Sequence, residues 1–292
     1  MDAIETDVTT NSYKKAINYL KERSQNIDIF DVTGTTDIND ETITEFIRSN
    51  ILSPNDKQIV ELFNEKKINK IMLINYMERK VKTILQGKIH LLLVLTSPIW
   101  IAYMLLISKT LKTKIFTSIA ALCMFFNFFA SFLLHNFEWK PELYFLIEKI
   151  DHIGIFLMIS GSCLPVPALL FNKIQFLYYI ILQGLTSLFG CLFICFSRFS
   201  TGNRITRACT YVIAGLLHVL FLKDYIMGLI PKEIAFLIFL ATLYCLGATF
   251  YSMKKPNPIK GILGFHDLFH ICCLGSGLLT MALNCSVIMR NT

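Results

Sequence analysis

From about residue 89 to residue 288 the chain is a succession of apolar runs, each close to the length a helix needs to cross the roughly 30 Å hydrocarbon layer of a bilayer. The runs fall at about 89–108, 115–135, 152–171, 174–197, 205–222, 232–252 and 266–288, with short polar connections between them. Lipid offers no partner to an unpaired backbone amide or carbonyl, so such runs must satisfy their own hydrogen bonds. The expected fold class is therefore all-α, a seven-transmembrane helical bundle, and the odd count puts the two ends of the chain on opposite sides. The fifth run is the shortest and the sixth has a soft start around Pro231, which leaves a re-entrant segment from Tyr225 to Ile230 as the alternative there. The chain is 54% hydrophobic with a mean hydropathy of +0.53, more apolar surface than a soluble core can hide.

Residues 1–87 differ in kind, with Lys, Glu, Asp and Asn throughout. They read as a small helical aqueous region ahead of a membrane domain at 88–292. Ser53 and Pro54 make a cap and first-turn pair, followed by Ile59, Val60, Leu62 and Phe63. Between Phe30 and Phe46, Asp31, Asp37 and Ile38 fit positions of a calcium loop, but Thr36 and Thr42 stand where its glycine and bidentate glutamate belong. A solvated helix is the better reading. No secretory signal is evident, and the first apolar run is long enough to serve as its own insertion signal.

Lys and Arg near the ends of the runs number twelve on the side of residues 1–87 against seven on the other, so the N-terminal region is expected in the cytosol and the C-terminus opposite. The net charge of +7 sits largely in these flanks, where it meets anionic headgroups. The expected partners are membrane lipids, with no nucleic acid; self-association is compatible with such a bundle. All nine cysteines fall within the runs, without the spacing of a disulfide framework or zinc knuckle. They read as small packing residues.

Four ionisable residues then stand out by position. His135 closes the second run, Asp151 stands at the opening of the third, and His266 and His270 open the seventh. By parity these three run ends lie on one side of the membrane. Residues four apart share a helix face, so Ser131 points the same way as His135, and His266 and His270 offer two imidazoles to one zinc ion. Ionisable groups at membrane depth are costly unless they are paired or functional. Asp151 can also cap the third helix, while His90 and His218 have no partner at ligand spacing and read as headgroup-level residues bonded to carbonyls.

The run Ser131-Phe-Leu-Leu-His135, the run Asp151-His-Ile-Gly-Ile-Phe-Leu-Met-Ile-Ser-Gly-Ser-Cys-Leu-Pro165 and the closing Gly264-Phe-His-Asp-Leu-Phe-His270 together resemble the PAQR and hemolysin III superfamily. Its seven-span members include adiponectin receptors, progestin receptors and bacterial hemolysin III proteins. The resemblance spans about residues 80–290 and is nearer in style to the hemolysin III branch. It implies that His135, His266 and His270 bind zinc, that Asp151 reaches the metal through a water, and that Ser131 lies beside them. Many relatives carry Glu where this chain has Asp267, and the polar extension ahead of the first run is longer than in bacterial members.

A zinc held by three nitrogens keeps an open fourth position, whereas four protein ligands make a structural site. His152 is the nearest further candidate in sequence, but on a helix it points about 100° away from Asp151. The open site supports a metal-dependent hydrolase of membrane lipid amides, ceramidase-like, with Asp151 and Ser131 as its catalytic groups. Two other readings are a pore-forming cytolysin, for which no charged stripe lines the runs, and a seven-span ligand receptor. Pro98, Pro165 and Pro167 should bend their helices, and Gly161, Gly184, Gly190, Gly275 and Gly277 should permit close helix contact. The phenylalanines around Phe125 to Phe129 read as lipid-facing or packing groups.

Overall fold

The computed structural model describes residues 54–292 apart from 69, 71, 74, 75, 78–82, 84, 86, 197–203, 260 and 261, and without the side chains of 142 and 204. The helical reading of residues 1–53, including the Phe30 to Phe46 stretch and the Ser53 cap, lies outside these residues. The described chain is helical with no β-strand. A short helix, α1 (Pro54–Asn64), precedes α2 (Lys88–Leu95), α3 (Ser97–Ile107), α4 (Leu111–Asn136), α5 (Pro141–Gly161), α6 (Pro165–Leu170) and α7 (Lys173–Phe196). Then come α8 (Arg204–Leu216), a 3-10 turn (Leu217–Phe221), α9 (Leu222–Gly228), α10 (Pro231–Met253) and α11 (Phe265–Asn291).

Six of these stretches are long and apolar enough to cross a membrane: α4, α5 with α6, α7, α8 through α9, α10, and α11. The pair α2 and α3, bent by 45°, makes a seventh when counted as one broken span. Large apolar side chains face outward along the bundle, Leu106 at 80% and Phe196 at 84% exposure among them. An aqueous protein does not carry so wide an apolar exterior. The chain is an integral, multi-pass membrane protein.

The breaks have local causes. Pro98 has no N–H to give the Val94 carbonyl and its ring crowds that turn. Ser97 Oγ donates to Val94 O at 2.6 Å, Trp100 Nε1 to Leu93 O at 3.3 Å and Thr96 Oγ1 to Leu92 O at 2.8 Å. The bend is thus stabilised by side chains that replace the lost backbone bonds, as a helix in lipid requires. Between α5 and α6, ahead of Pro165 and Pro167, Asn284 Nδ2 of α11 donates to the Ser162 carbonyl at 2.7 Å. At the start of α4, Thr110 and Thr113 cap each other's backbone amides at 3.1 Å.

One expectation about the spans needs correction, and one alternative falls away. The third helix begins at Pro141, ten residues before Asp151, so Asp151 lies in mid-helix and caps nothing. The charges of Glu148 and Asp151 made the apolar run look shorter than the helix, because the pairing of Glu148 with Arg207 inside the bundle cannot be read along one chain. The segment containing Tyr225 is not re-entrant: the fifth span continues through the 3-10 turn and α9 to Gly228.

Small residues set the close contacts. A methyl group at Gly161 would collide with Cys123 Sγ on α4, one at Gly190 with the Phe156 ring and one at Gly275 with Leu243. Gly277 lies against Phe128, which is buried, whereas Phe126 and Phe129 are exposed. Gly184 has open space around it, so the packing role expected of it is not found. Gly184 faces outward, while the neighbouring Gln183 is buried. All nine cysteines are free.

The described part of the N-terminal region packs on one end of the bundle. Ile59, Val60, Leu73 and Met77 form a cluster with Leu134 of α4 and Tyr144 of α5. Tyr76 donates to Asp56 Oδ1 at 3.0 Å, and burial beside that carboxylate pushes its phenol well above the usual range. This end of the bundle is the one where α4 stops and α11 starts.

Candidate metal centre

The second span reaches this end as an unbroken helix to Asn136, which places Ser131 and His135 on one face a turn apart, both buried. The seventh span starts here at Phe265. The Asp267 carboxylate accepts the Gly264 amide at 2.8 Å and the Thr83 hydroxyl, and Asn257 Oδ1 accepts the Phe265 amide at 2.9 Å. Asp267, between the two late histidines in sequence, is therefore occupied in holding the helix start. That anchored first turn carries His266, and the next carries His270.

His135, His266 and His270 meet. One ligating nitrogen from each lies within 4.8 Å of the others, and the ring centroids are 5.0, 4.9 and 4.5 Å apart. His135 and His270 are buried and His266 is half-buried. The Nε2 atoms of His135 and His266 stand 3.5 Å apart, close to the separation of about 3.3 Å that two nitrogens take on one tetrahedral zinc with bonds of about 2.05 Å. Among the described residues this is the one group of three metal-ligating side chains at such spacing. Neutral imidazoles with no carboxylate among them suit a divalent transition metal rather than calcium or magnesium.

Asp151 is not a member of this close group. It is buried on the third turn of α5. His152 does not supply a fourth ligand, since its Nδ1 is 2.7 Å from the Tyr211 hydroxyl and its Nε2 is 3.8 Å from Glu148 Oε1. Glu148 also faces Arg207 Nη1 at 3.7 Å, with both side chains almost fully enclosed. The Glu148, His152, Arg207 and Tyr211 cluster escaped the sequence reading. Its advance signals were the four-residue spacings of Glu148 with His152 and of Arg207 with Tyr211; that the two pairs face each other is a tertiary fact.

His90 is the second omission. It is buried, and its Nε2 lies 2.6 Å from His270 Nδ1 with the two rings at 90°. Its partner is thus an imidazole and not a carbonyl. His218 does meet a carbonyl, that of Ile159, at 3.1 Å. Close by, Gly87 has φ +86°, and a methyl there would strike Asn136 and the Cβ of His135. Its left-handed backbone lets α2 start against the last turn of α4, where Asn136 Nδ2 donates to Gly87 O at 2.9 Å.

A family model described as haemolysin-III related matches residues 79–281, a stretch that contains all five candidate residues. A search of curated proteins found no match.

Proposed function

The chain belongs to the haemolysin-III related family, and from that premise we propose that it is a zinc-dependent hydrolase of membrane lipid amides. The observation that carries this reading is the convergence of three imidazoles from two distant spans at one level of the bundle. His135, His266 and His270 would hold the ion. When bound, zinc supplies a Lewis acid for a carbonyl oxygen and a water acidified to near neutrality.

The protein's own groups would do the rest. Asp151, buried on α5 and outside the close group, suits a carboxylate that orients the attacking water and accepts its proton. Ser131, one turn before His135 on the same face, can donate its hydroxyl to the substrate carbonyl as negative charge develops on oxygen. The surrounding spans keep bulk water from these groups. The centre lies where spans begin and end, so a lipid whose amide sits just below the headgroups is the substrate class within reach.

The test uses purified full-length protein loaded with zinc in liposomes containing an N-acyl sphingoid lipid. Release of fatty acid and free amine is expected, and is lost in His135→Ala. A zinc-loaded protein that cleaves neither lipid amides nor esters would overturn the enzyme reading. Permeabilisation of the membrane is tested in the same liposomes by dye release, and a pore that ignores the centre would keep its activity in His266→Ala and His270→Ala.

A further inference from the structure

We infer that His90, on the first span, is the positioning residue of the metal centre: its Nε2 receives the Nδ1 proton of His270 and fixes that ring for ligation. The inference rests on the zinc reading above. A histidine that gives Nε2 to a metal must carry its proton on Nδ1, and the group hydrogen-bonded to Nδ1 sets both the tautomer and the tilt of the ring. In His270 that nitrogen is only 2.6 Å from His90 Nε2, so Nε2 is the nitrogen His270 would give to a metal shared with His135 and His266. The two rings meet edge-on, at 90° with centroids 4.4 Å apart, and the nitrogen–nitrogen distance identifies the two atoms that share the proton.

The surroundings argue that the ring is not present merely to fill space. His90 is stacked near Phe128, with centroids 6.0 Å apart, in a contact that a leucine or phenylalanine could supply. Its Nδ1 is enclosed and has no hydrogen-bond partner among the described residues, a penalty an apolar side chain would avoid. The histidine is therefore explained by what its other nitrogen does. The arrangement also gives the bent first span a purpose at the centre: α2 is seated by Gly87 against the His135 turn, and its next turn brings His90 to His270. The three ligands come from two spans, and a third span orients them.

The measurement is the zinc affinity of the full-length protein in detergent, by competition with a chromophoric chelator, for the native chain and for His90→Gln, His90→Asn and His90→Leu. The glutamine amide oxygen reaches about as far as His90 Nε2 and can accept the same proton, whereas asparagine is polar but too short and leucine has no acceptor. Native protein is expected to bind one zinc per chain. His90→Gln should stay within about threefold of it, and His90→Asn and His90→Leu should weaken binding by about 10–100-fold, the usual effect of losing such a partner. Melting curves of the metal-free variants separate folding from affinity, and if the leucine variant does not fold, the glutamine and asparagine pair decides. Equal affinity in those two would overturn the role of His90 while leaving the centre intact. Native protein that binds no zinc would instead overturn the centre itself.

Discussion

Arg207 and Glu148 show how much a single buried charge can weigh in this bundle. Each is taken out of water, and their 3.7 Å approach, with His152 beside Glu148, offsets a desolvation penalty of several kcal/mol per ion. Removing one partner leaves the other charged and enclosed. Arg207→Met is therefore expected to destabilise the protein by about 3–5 kcal/mol, read as a lowered melting temperature in detergent. Adding Glu148→Gln should recover part of that loss, because the stranded carboxylate is then gone. A double variant less stable than Arg207→Met would show that the pair is not the reason for the burial. The same arithmetic explains why residue-level reading from sequence was good for His135, His266 and His270 and poor for Arg207. A histidine four residues from another announces a shared face, but an arginine near a span end looks like a loop charge until its partner on another helix is known.

At the scale of elements, the separation between α4 and α5 matters most, since one carries His135 and Ser131 and the other Asp151. Two glycines of α5 set that separation: Gly154 lies against the Asn127 backbone and Gly161 on Cys123, where a methyl group would overlap the sulfur. Gly161→Ala is expected to cost about 1–3 kcal/mol through overpacking, and Cys123→Ala in the same chain should restore most of it by removing the sulfur. Thermal unfolding of the single and double variants measures the coupling, and strictly additive effects would refute it. Proline positions and apolar length located nearly every helix in advance. The helix that was misplaced, α5, begins with Pro141 and carries Glu148 and Asp151 in its interior, so its polar positions masked its true start.

For the whole molecule, the centre joins the start of the last span to the end of the second, with the first span and Ile59, Leu73 and Met77 packed at the same end. A ligand that binds only the folded state stabilises it by mass action, by about 2.7 kcal/mol at a hundredfold excess over its dissociation constant. Zinc should thus raise the melting temperature of the native protein, and a strong chelator should lower it. In His135→Ala the two conditions should give the same curve. A native protein whose melting is indifferent to both would argue against a metal that bridges the spans.

Hydrophobic length and spacing, which are properties of one chain read in order, were enough to determine the all-α membrane bundle, its break at Pro98, and the shared helix faces of Ser131 with His135 and of His266 with His270. Helix period and bilayer thickness act locally, so their consequences are written locally. The pairing of Glu148 with Arg207, the seating of Gly87 against Asn136 and the approach of His90 to His270 were decided only when the helices packed. Each depends on which faces of distant spans meet, and that is set by the fit of side chains across the whole bundle rather than by any one segment of it.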